Sequence, residues 1–550
     1  MTERNTPAKF MRVWPEPWPL AALVIAAVVV APMLAVVWLA FHPTENIWPH
    51  LMATVLPRYL FNTLVLMAGV GVLTAAVGTG AAWLVVMHRF PGRGWLEPAL
   101  LAPMAIPAYI GAYALVDFLD YAGPVQSGLR LTMGWKSAKD YAFPEVHSIG
   151  FAILVLAAAF YPYVYILARA AFRELSGSSY EVARALGAGP AGLFLRVGLP
   201  LARPAIAAGV ALALMETVAD FGTVQHFAVQ TLTTGVFSTW FNGNNAGGAA
   251  QLSGVILVLI LALVAVERRA RRHARYHRPA RAARPVSPVA LTGWLGWLAA
   301  VLCLLPFAAG FVLPVGVMVG HALRKPQVWL APGLGPAALN TLMAGGIAAV
   351  LTVTAALVLV HGVRLAGRPL VRLVLPVTAL GYAAPGAVLA VGILIPLAAL
   401  DHRIADAVLA LTGHDPGLML TGTAAALVLA YAVRFFGIAQ SAVDSAFGRV
   451  SPMLPLAARS LGRTAGGVLR DVFLPLMRGS VSTALLVVFV ECSKELPATL
   501  LLRPFNFNTL ATRAYDLASL EKITEAAPAA LLVIAVGLMA VAVLARTSRA

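Results

Sequence analysis

Four acids and a lysine stand inside two strongly apolar stretches of this 550-residue chain. Glu216 and Asp220 lie in METVADFGTV at 215–224, and Glu491, Lys494 and Glu495 lie in VECSKELPATLLLRPF at 490–505. The acids of each stretch are four residues apart, a spacing that puts both carboxylates on one face of a helix. Counted from Pro204 at ~1.5 Å per residue, Glu216 falls about 18 Å along such a helix and Asp220 about 24 Å. An ionisable group that deep in hydrocarbon costs about 2.5–3.5 kcal/mol on insertion scales, so it faces a wet cavity or a partner. Two chemistries fit these residue types. In one, Glu216, Asp220, Glu491 and Glu495 line a pathway with Lys494 and offer hard oxygen ligands to a passing cation, a transient metal site. In the other, the acids pair with Lys494 and Arg434, or cap broken backbone near Gly222 and Pro497, and lock an interface.

The elements that must carry these groups are membrane spans. The chain is 60% hydrophobic and 11% charged, whereas a soluble domain is about a quarter charged, which excludes a soluble multidomain enzyme. Apolar windows of spanning length fall near 18–41, 62–87, 95–119, 148–171, 204–226, 250–266, 294–320, 340–362, 373–399, 419–440, 479–501 and 526–545. They are too long and continuous for barrel strands, so the expectation is an all-α membrane protein of twelve transmembrane helices. The first window is longer than a signal-peptide core and reads as a retained span. The tails and alternate loops hold 29 of the 40 Lys and Arg residues, a bias that puts both termini in the cytoplasm. The net charge of +17 therefore reads as loop arginines that orient the chain rather than as a nucleic-acid surface. Cys303 and Cys492 sit in apolar runs and offer neither a disulfide framework nor a zinc site.

The chain is also written twice. EVARALGAGPAGLFLRVGLPLARPAI at 181–206 matches LAARSLGRTAGGVLRDVFLPLMRGSV at 456–481 with an offset of 275 residues, and Asn62-Thr63-Leu64 recurs as Asn340-Thr341-Leu342. Glu216 and Asp220 map onto Glu491 and Glu495. The reading is two six-span halves, 1–266 and 286–550, related by a pseudo-twofold axis along the membrane normal and joined by a basic cytoplasmic linker at 267–285. Each half carries a cytoplasmic loop, about 173–203 and 448–478, that reads as a small-residue helix, a glycine, an amphipathic stretch and Leu-Pro. Gly187 or Gly462 permits the left-handed turn that ends the helix, and Pro200 or Pro475 breaks the chain before the next span.

These loops resemble the signature of permease subunits from binding-protein-dependent ABC importers, which reads Glu-Ala-Ala, three residues, Gly, then about nine residues before Ile-x-Leu-Pro. The first half has Glu181-Val182-Ala183, Gly187 and Gly198-Leu199-Pro200; the second has Leu456-Ala457-Ala458, Gly462 and Phe473-Leu474-Pro475. The resemblance implies a type I ABC importer-like permease fold. It also implies that Glu181, Ala183, Gly187, Ala458 and Gly462 couple the spans to two copies of a cytoplasmic ATPase subunit. Leu456 departs from the pattern, so a charge contact to the ATPase is expected on one side only. The motifs at 216–224 and 494–505, with Thr509-Leu510-Ala511-Thr512-Arg513, Leu380–Gly386 and Ala430–Phe435, are similar to those of fused two-lobe ferric iron permeases. Relatives for thiamine, phosphonate, sulfate and polyamines share the architecture.

None of the six lysines follows a glycine, so the chain lacks a Gly-Lys-Ser/Thr phosphate loop. The expectation is a transport subunit without ATPase motifs of its own, binding no cofactor, with ATP and magnesium held by the partner. Other expected partners are an extracytoplasmic binding protein, received by outer loops 120–147 and 227–249, and membrane lipid, with no nucleic acid. His147, His226, His321 and His361 show no metal-ligand spacing and read as interfacial. A proton-driven secondary transporter, whose intramembrane acids would titrate, is the rival from another class.

Overall fold

The computed structural model describes residues 17–43, 45–174, 177–272, 288–367, 372–379, 381 and 384–547. Most of the basic linker, Leu175 and Ser176, and Leu380, Tyr382 and Ala383 of the quoted motifs lie outside the described residues.

Among these, ten helices are long and apolar enough to cross a membrane, and two bent pairs bring the count to twelve when each pair is one span. In chain order they are α1 Pro17–Phe41, α2 Leu56–Met87, the α3 pair Arg93–Ala105 and Ala108–Met133, α4 Ile149–Glu174, α5 Pro190–Ala219 and α6 Ala246–Arg272. The second half repeats the order as α7 Trp294–Arg324, α8 Leu334–Ala366, α9 Gly386–Thr412, the α10 pair Ala424–Arg434 and Phe436–Arg449, α11 Ala465–Lys494 and α12 Ile523–Thr547. The α3 pair is bent by 97° and the α10 pair by 48°. Pro107 supplies the break in α3, because it cannot donate the amide that a continuous helix needs. The window expected at 373–399 is interrupted: a short helix at Val374–Thr378 precedes Pro385, and α9 begins only at Gly386.

The repeat in the sequence is repeated bond for bond. The Asn62 amide donates to the Gln230 carbonyl at 2.8 Å and the Asn340 amide to the Asn508 carbonyl at 3.0 Å. The Leu232 amide donates to the Thr63 hydroxyl at 3.2 Å and the Leu510 amide to the Thr341 hydroxyl at 2.8 Å. These bonds tie α2 and α8 to two matching short helices, Leu232–Phe237 and Leu510–Ser519, each opened by a threonine capping box. The molecule is thus two pseudo-twofold-related six-helix halves.

The halves share a core. Ala22, Val29 and Val36 of α1 are buried in one cluster with Val353 and Leu359 of α8 and Val391 of α9. The backbones approach closely there: a Cβ at Gly362 would meet Trp18 and Ala22, and one at Gly392 would meet the Pro32 carbonyl. The first helix of the chain thus packs on the second half. On the other side, α7 packs against α3 and α12. His321 of α7 hydrogen-bonds Asp117 of α3 at 2.9 Å and Thr524 of α12 at 3.0 Å, a bridge between halves that an interfacial reading of this histidine does not anticipate.

The two repeated loops form short helices, Gly177–Ala185 and Met453–Ser460. Gly187 and Gly462 follow at φ 85° and 81°. The Ala188 amide reaches back to the Ala183 carbonyl and the Arg463 amide to the Ala458 carbonyl, both at 3.0 Å. This is the glycine-terminated helix stop that satisfies orphan carbonyls. Each loop then enters its span through a π-helical turn, Leu193–Gly198 and Leu469–Phe473.

Candidate functional site

The long helices α5 and α11 end one residue before the second acid of each pair. Asp220 has φ −67° and ψ 135°, and Glu495 has φ −69° and ψ 127°, both extended. The expectation that Glu216 with Asp220, and Glu491 with Glu495, share one helix face is therefore corrected, and so are spans reaching 226 and 501. The chain breaks and restarts as the short helices Gly222–His226 and Pro497–Leu502. The break has a chemical cause: each second acid caps the next helix. Asp220 accepts from the Thr223 and Val224 amides at 3.0 and 3.1 Å and from the Thr223 hydroxyl at 2.9 Å. Glu495 accepts from the Ala498 and Thr499 amides at 2.9 Å each and from the Thr499 hydroxyl at 2.8 Å. Carboxylates at a helix start satisfy amides that otherwise have no partner.

The acids of the second half also hold cations. Lys494 Nζ is 2.8 Å from Glu491, and Arg434 Nη1 is 2.9 Å from Glu495, whose side chain is only 1% exposed. Gly386, at the start of α9, makes room for the latter pair, since a Cβ there would collide with both Arg434 and Glu495. Lys494 thus neutralises Glu491, while Arg434 serves Glu495.

All five pathway residues nonetheless converge. Glu216, Asp220, Glu491, Lys494 and Glu495 line one cavity of about 100 Å³ between the halves, together with Arg434. Its walls repeat under the 275-residue offset: Phe160 with Phe435, Glu216 with Glu491, Asp220 with Glu495, and Phe221 with Leu496. The cavity therefore straddles the pseudo-twofold axis. Among the described residues no three His, Cys, Asp or Glu side chains are grouped so as to hold a metal ion. The four acids are not a preassembled ligand cage in this conformation, because Asp220 and Glu495 give most of their lone pairs to caps.

A second, wider cavity of about 960 Å³ opens on the face opposite the repeated loops, between the cap helices of the two halves. Its lining mixes amides, among them Gln225, Gln230 and Asn508, with rings such as Tyr59 and Tyr515. Phe221 lines both cavities and stacks on Phe237 with centroids 3.7 Å apart. A Cβ at Gly222 would meet the Tyr109 Cβ at 2.7 Å and the Leu496 side chain at 2.9 Å, so the seam between the cavities is closed by packing. The wide vestibule, the apolar seam and the charged chamber follow one another along the axis.

Of the residues assigned to coupling, Glu181 and Gly187 are exposed, Ala183 and Ala458 are partly covered, and Gly462 is exposed, all on the repeated-loop face. Beside them Leu186 and Leu461 are 83% and 84% exposed. Tyr109 is the residue that the sequence reading missed. It lies inside an ordinary apolar window, and only the break at Pro107 hints that its segment turns into the axis.

Residues 70–273 match the family model described as binding-protein-dependent transport system inner membrane component. The chain is similar to the Fe(3+)-transport system permease protein FbpB 2 of Haemophilus influenzae, 25% identical across 86% of this chain and 87% of that protein. Residues 70–273 thus resemble that inner membrane component, and the resemblance to a permease runs through both halves. Molybdenum transport system permease protein ModB of Escherichia coli is 26% identical over 33% of this permease and 78% of its own length. Sulfate transport system permease protein CysT of Salmonella typhimurium is 27% identical over 28% of this permease and 52% of its own length. ModB thus matches about one lobe of this permease while FbpB 2 matches both, as expected of a fused two-lobe multi-pass permease of the inner membrane.

Proposed function

We propose that this permease is the membrane subunit of an ATP-driven importer that moves ferric iron from an extracytoplasmic binding protein to the cytoplasm. The observation that carries the cargo is the sign of charge on the axis: four carboxylates and two cations line the chamber between the halves. Acidic walls in a low-dielectric passage concentrate cations and repel oxyanions, which favours ferric iron over sulfate or molybdate. The acids Glu216, Asp220, Glu491 and Glu495 act as a transient passage, with Lys494 and Arg434 moderating the attraction so that the ion can leave.

The two halves, 1–266 and 286–550, rock about the axis with both termini cytoplasmic, the orientation that the arginine bias favours. Two copies of a separate ATPase seat on the repeated loops at Glu181, Ala183, Gly187, Ala458 and Gly462. That partner binds ATP and magnesium; this chain binds no cofactor and catalyses no reaction. Leu186 and Leu461, exposed at matching positions, are apolar anchors suited to a docked partner.

The test is uptake of radiolabelled ferric iron, with sulfate, molybdate and thiamine as controls, in a transporter-deleted host supplied with the chain, its ATPase and its binding protein. Iron uptake that stops with an ATPase-dead partner supports the reading. Uptake of a control cargo without iron overturns the cargo, and uptake indifferent to the ATPase overturns the coupling.

A further inference from the structure

The two halves give the central chamber matching backbone but unequal chemistry. Under the 275-residue offset, Arg434 and Lys494 correspond to Ala159 and Ala219, and all four line the chamber. The second-half acids have cations of their own half at 2.8 and 2.9 Å, whereas the first half puts methyl groups at the same places. The inequality is reversed on the other wall. Tyr109, two residues after Pro107, lines the chamber, and the position two residues after the matching Pro385 is Ala387.

Tyr109 is 4% exposed, and its hydroxyl is buried with no hydrogen-bond partner among the described residues. A buried hydroxyl without a partner is costly, and phenylalanine would fill the same space without that cost. The side chain is held in place by packing on Gly222 and by the Tyr113 ring, with centroids 5.8 Å apart. An orphaned phenol on the wall of a chamber with Glu216 and Asp220, in the half that has alanines where the other has Arg434 and Lys494, is suited to a ligand rather than to stability.

We propose that Tyr109 is a cargo-binding residue whose phenolic oxygen, with the carboxylates of Glu216 and Asp220, forms a one-sided hard-oxygen station for a trivalent metal cation. The proposal rests on the ferric reading and names the residues that would make it selective. Phenolate and carboxylate are both hard anionic oxygen ligands for ferric iron. Asp220 uses three acceptor positions in its cap, and a carboxylate has about four, so one lone pair remains for the ion. Binding forms an iron–oxygen bond as the phenol O–H bond breaks. The proton passes to a neighbouring carboxylate or water, and the iron stays ferric with no electron transferred. The second half, already neutralised by Lys494 and Arg434, would provide the wall from which the ion is released.

The experiment uses the assembled transporter, permease with ATPase and binding protein, in liposomes, comparing the parent with Tyr109→Phe and Tyr113→Phe. Initial iron uptake and ATP hydrolysis are measured, and ferric nitrilotriacetate is titrated into the assembled transporter while the visible phenolate-to-iron absorption band is followed. Tyr109→Phe is expected to lower uptake about tenfold, the scale of losing one shell contact at a metal, to keep ATP hydrolysis and to lose the band. Tyr113→Phe, which removes a neighbouring orphaned hydroxyl that does not line the chamber, is expected to keep all three. Uptake by Tyr109→Phe at the parent rate, or a band that survives it, overturns the station. A parent that carries no iron overturns the ferric reading itself and the station with it, and this outcome is seen before any substitution is compared.

Discussion

Arg434 and Glu495 are the most deeply placed ion pair on the axis, and their energetics follow from burial. The side chains are 12% and 1% exposed, and Glu495 also accepts two amides and a hydroxyl from the helix that it caps. Removing one partner of such a pair strands a charge and costs about 3–5 kcal/mol, whereas removing both charges costs far less. Arg434→Met should therefore lower the stability of the detergent-solubilised permease by about 3 kcal/mol. Adding Glu495→Gln should restore at least half of that loss, because the amide is neutral and its oxygen still accepts a cap bond. Thermal unfolding of parent, single and double variants measures it; a double variant no more stable than the single would show that the stranded charge is not the cause. The residue scale is also where the sequence was hardest to read. Acid, cation and spacing were all visible, and pairing with Lys494 and Arg434 and capping near Gly222 and Pro497 could be enumerated. Choosing between them required the break after Ala219 and Lys494. A hydropathy window averages across such a break, and the cap that causes it is local hydrogen bonding by a single carboxylate.

The twelve windows were legible as elements because a bilayer demands about 20 apolar residues whatever the tertiary fold, and the halves were legible because the second repeats the first. Bends were not. The 97° turn in α3 depends on how Pro107 is used, and a proline within a span is compatible with a straight helix, a kink or a stop. The repeated loops show the opposite case, in which glycine spacing alone identified the helix ends at Gly187 and Gly462. At φ 85° and 81° a Cβ is strained whatever space surrounds it. Gly187→Ala and Gly462→Ala should each cost about 1 kcal/mol locally and skew the helix that meets the ATPase. The expected result is several-fold lower uptake with ATP hydrolysis no longer stimulated by loaded binding protein. Full stimulation in both variants would remove these glycines from coupling. The two loops differ at Glu181 and Leu456, so their contacts should differ in salt response. Glu181→Gln should weaken ATPase association several-fold at low ionic strength and little at high, as screening requires. Leu456→Gln should weaken it equally at both. Pull-down across a salt series decides this, and matching salt profiles would mean that both loops dock by the same chemistry.

At the scale of the whole molecule, the fusion raises the question of what the covalent connection contributes. The two halves are not independent bodies. Helix α1 contributes Ala22, Val29 and Val36 to a core that it shares with α8 and α9 of the second half, and its backbone lies so close to Gly362 and Gly392 that no side chain fits between. Helix α7, on the other side, reaches α3 through the His321–Asp117 bond. Each half therefore completes the other, and van der Waals packing of this closeness is what holds helices together where lipid removes the hydrophobic difference. Hence the connection at 267–285 should be dispensable once both halves are present, while α1 should not be. Cutting the chain within that segment and producing 1–275 and 286–550 together should give halves that co-purify in mild detergent and transport at a rate within about threefold of the parent, since short tethers act through effective concentration rather than new contacts. Deleting residues 1–45 from the same pair should abolish co-purification, because a strip of Val, Ala and Gly surface on α8 and α9 loses its partner. Separation of the intact halves on cutting the linker would mean that the fusion, rather than the exchanged helices, holds the permease together. Retention of assembly without α1 would place the binding surface in other contacts between the lobes, among them α6 with α9 and α7 with α3.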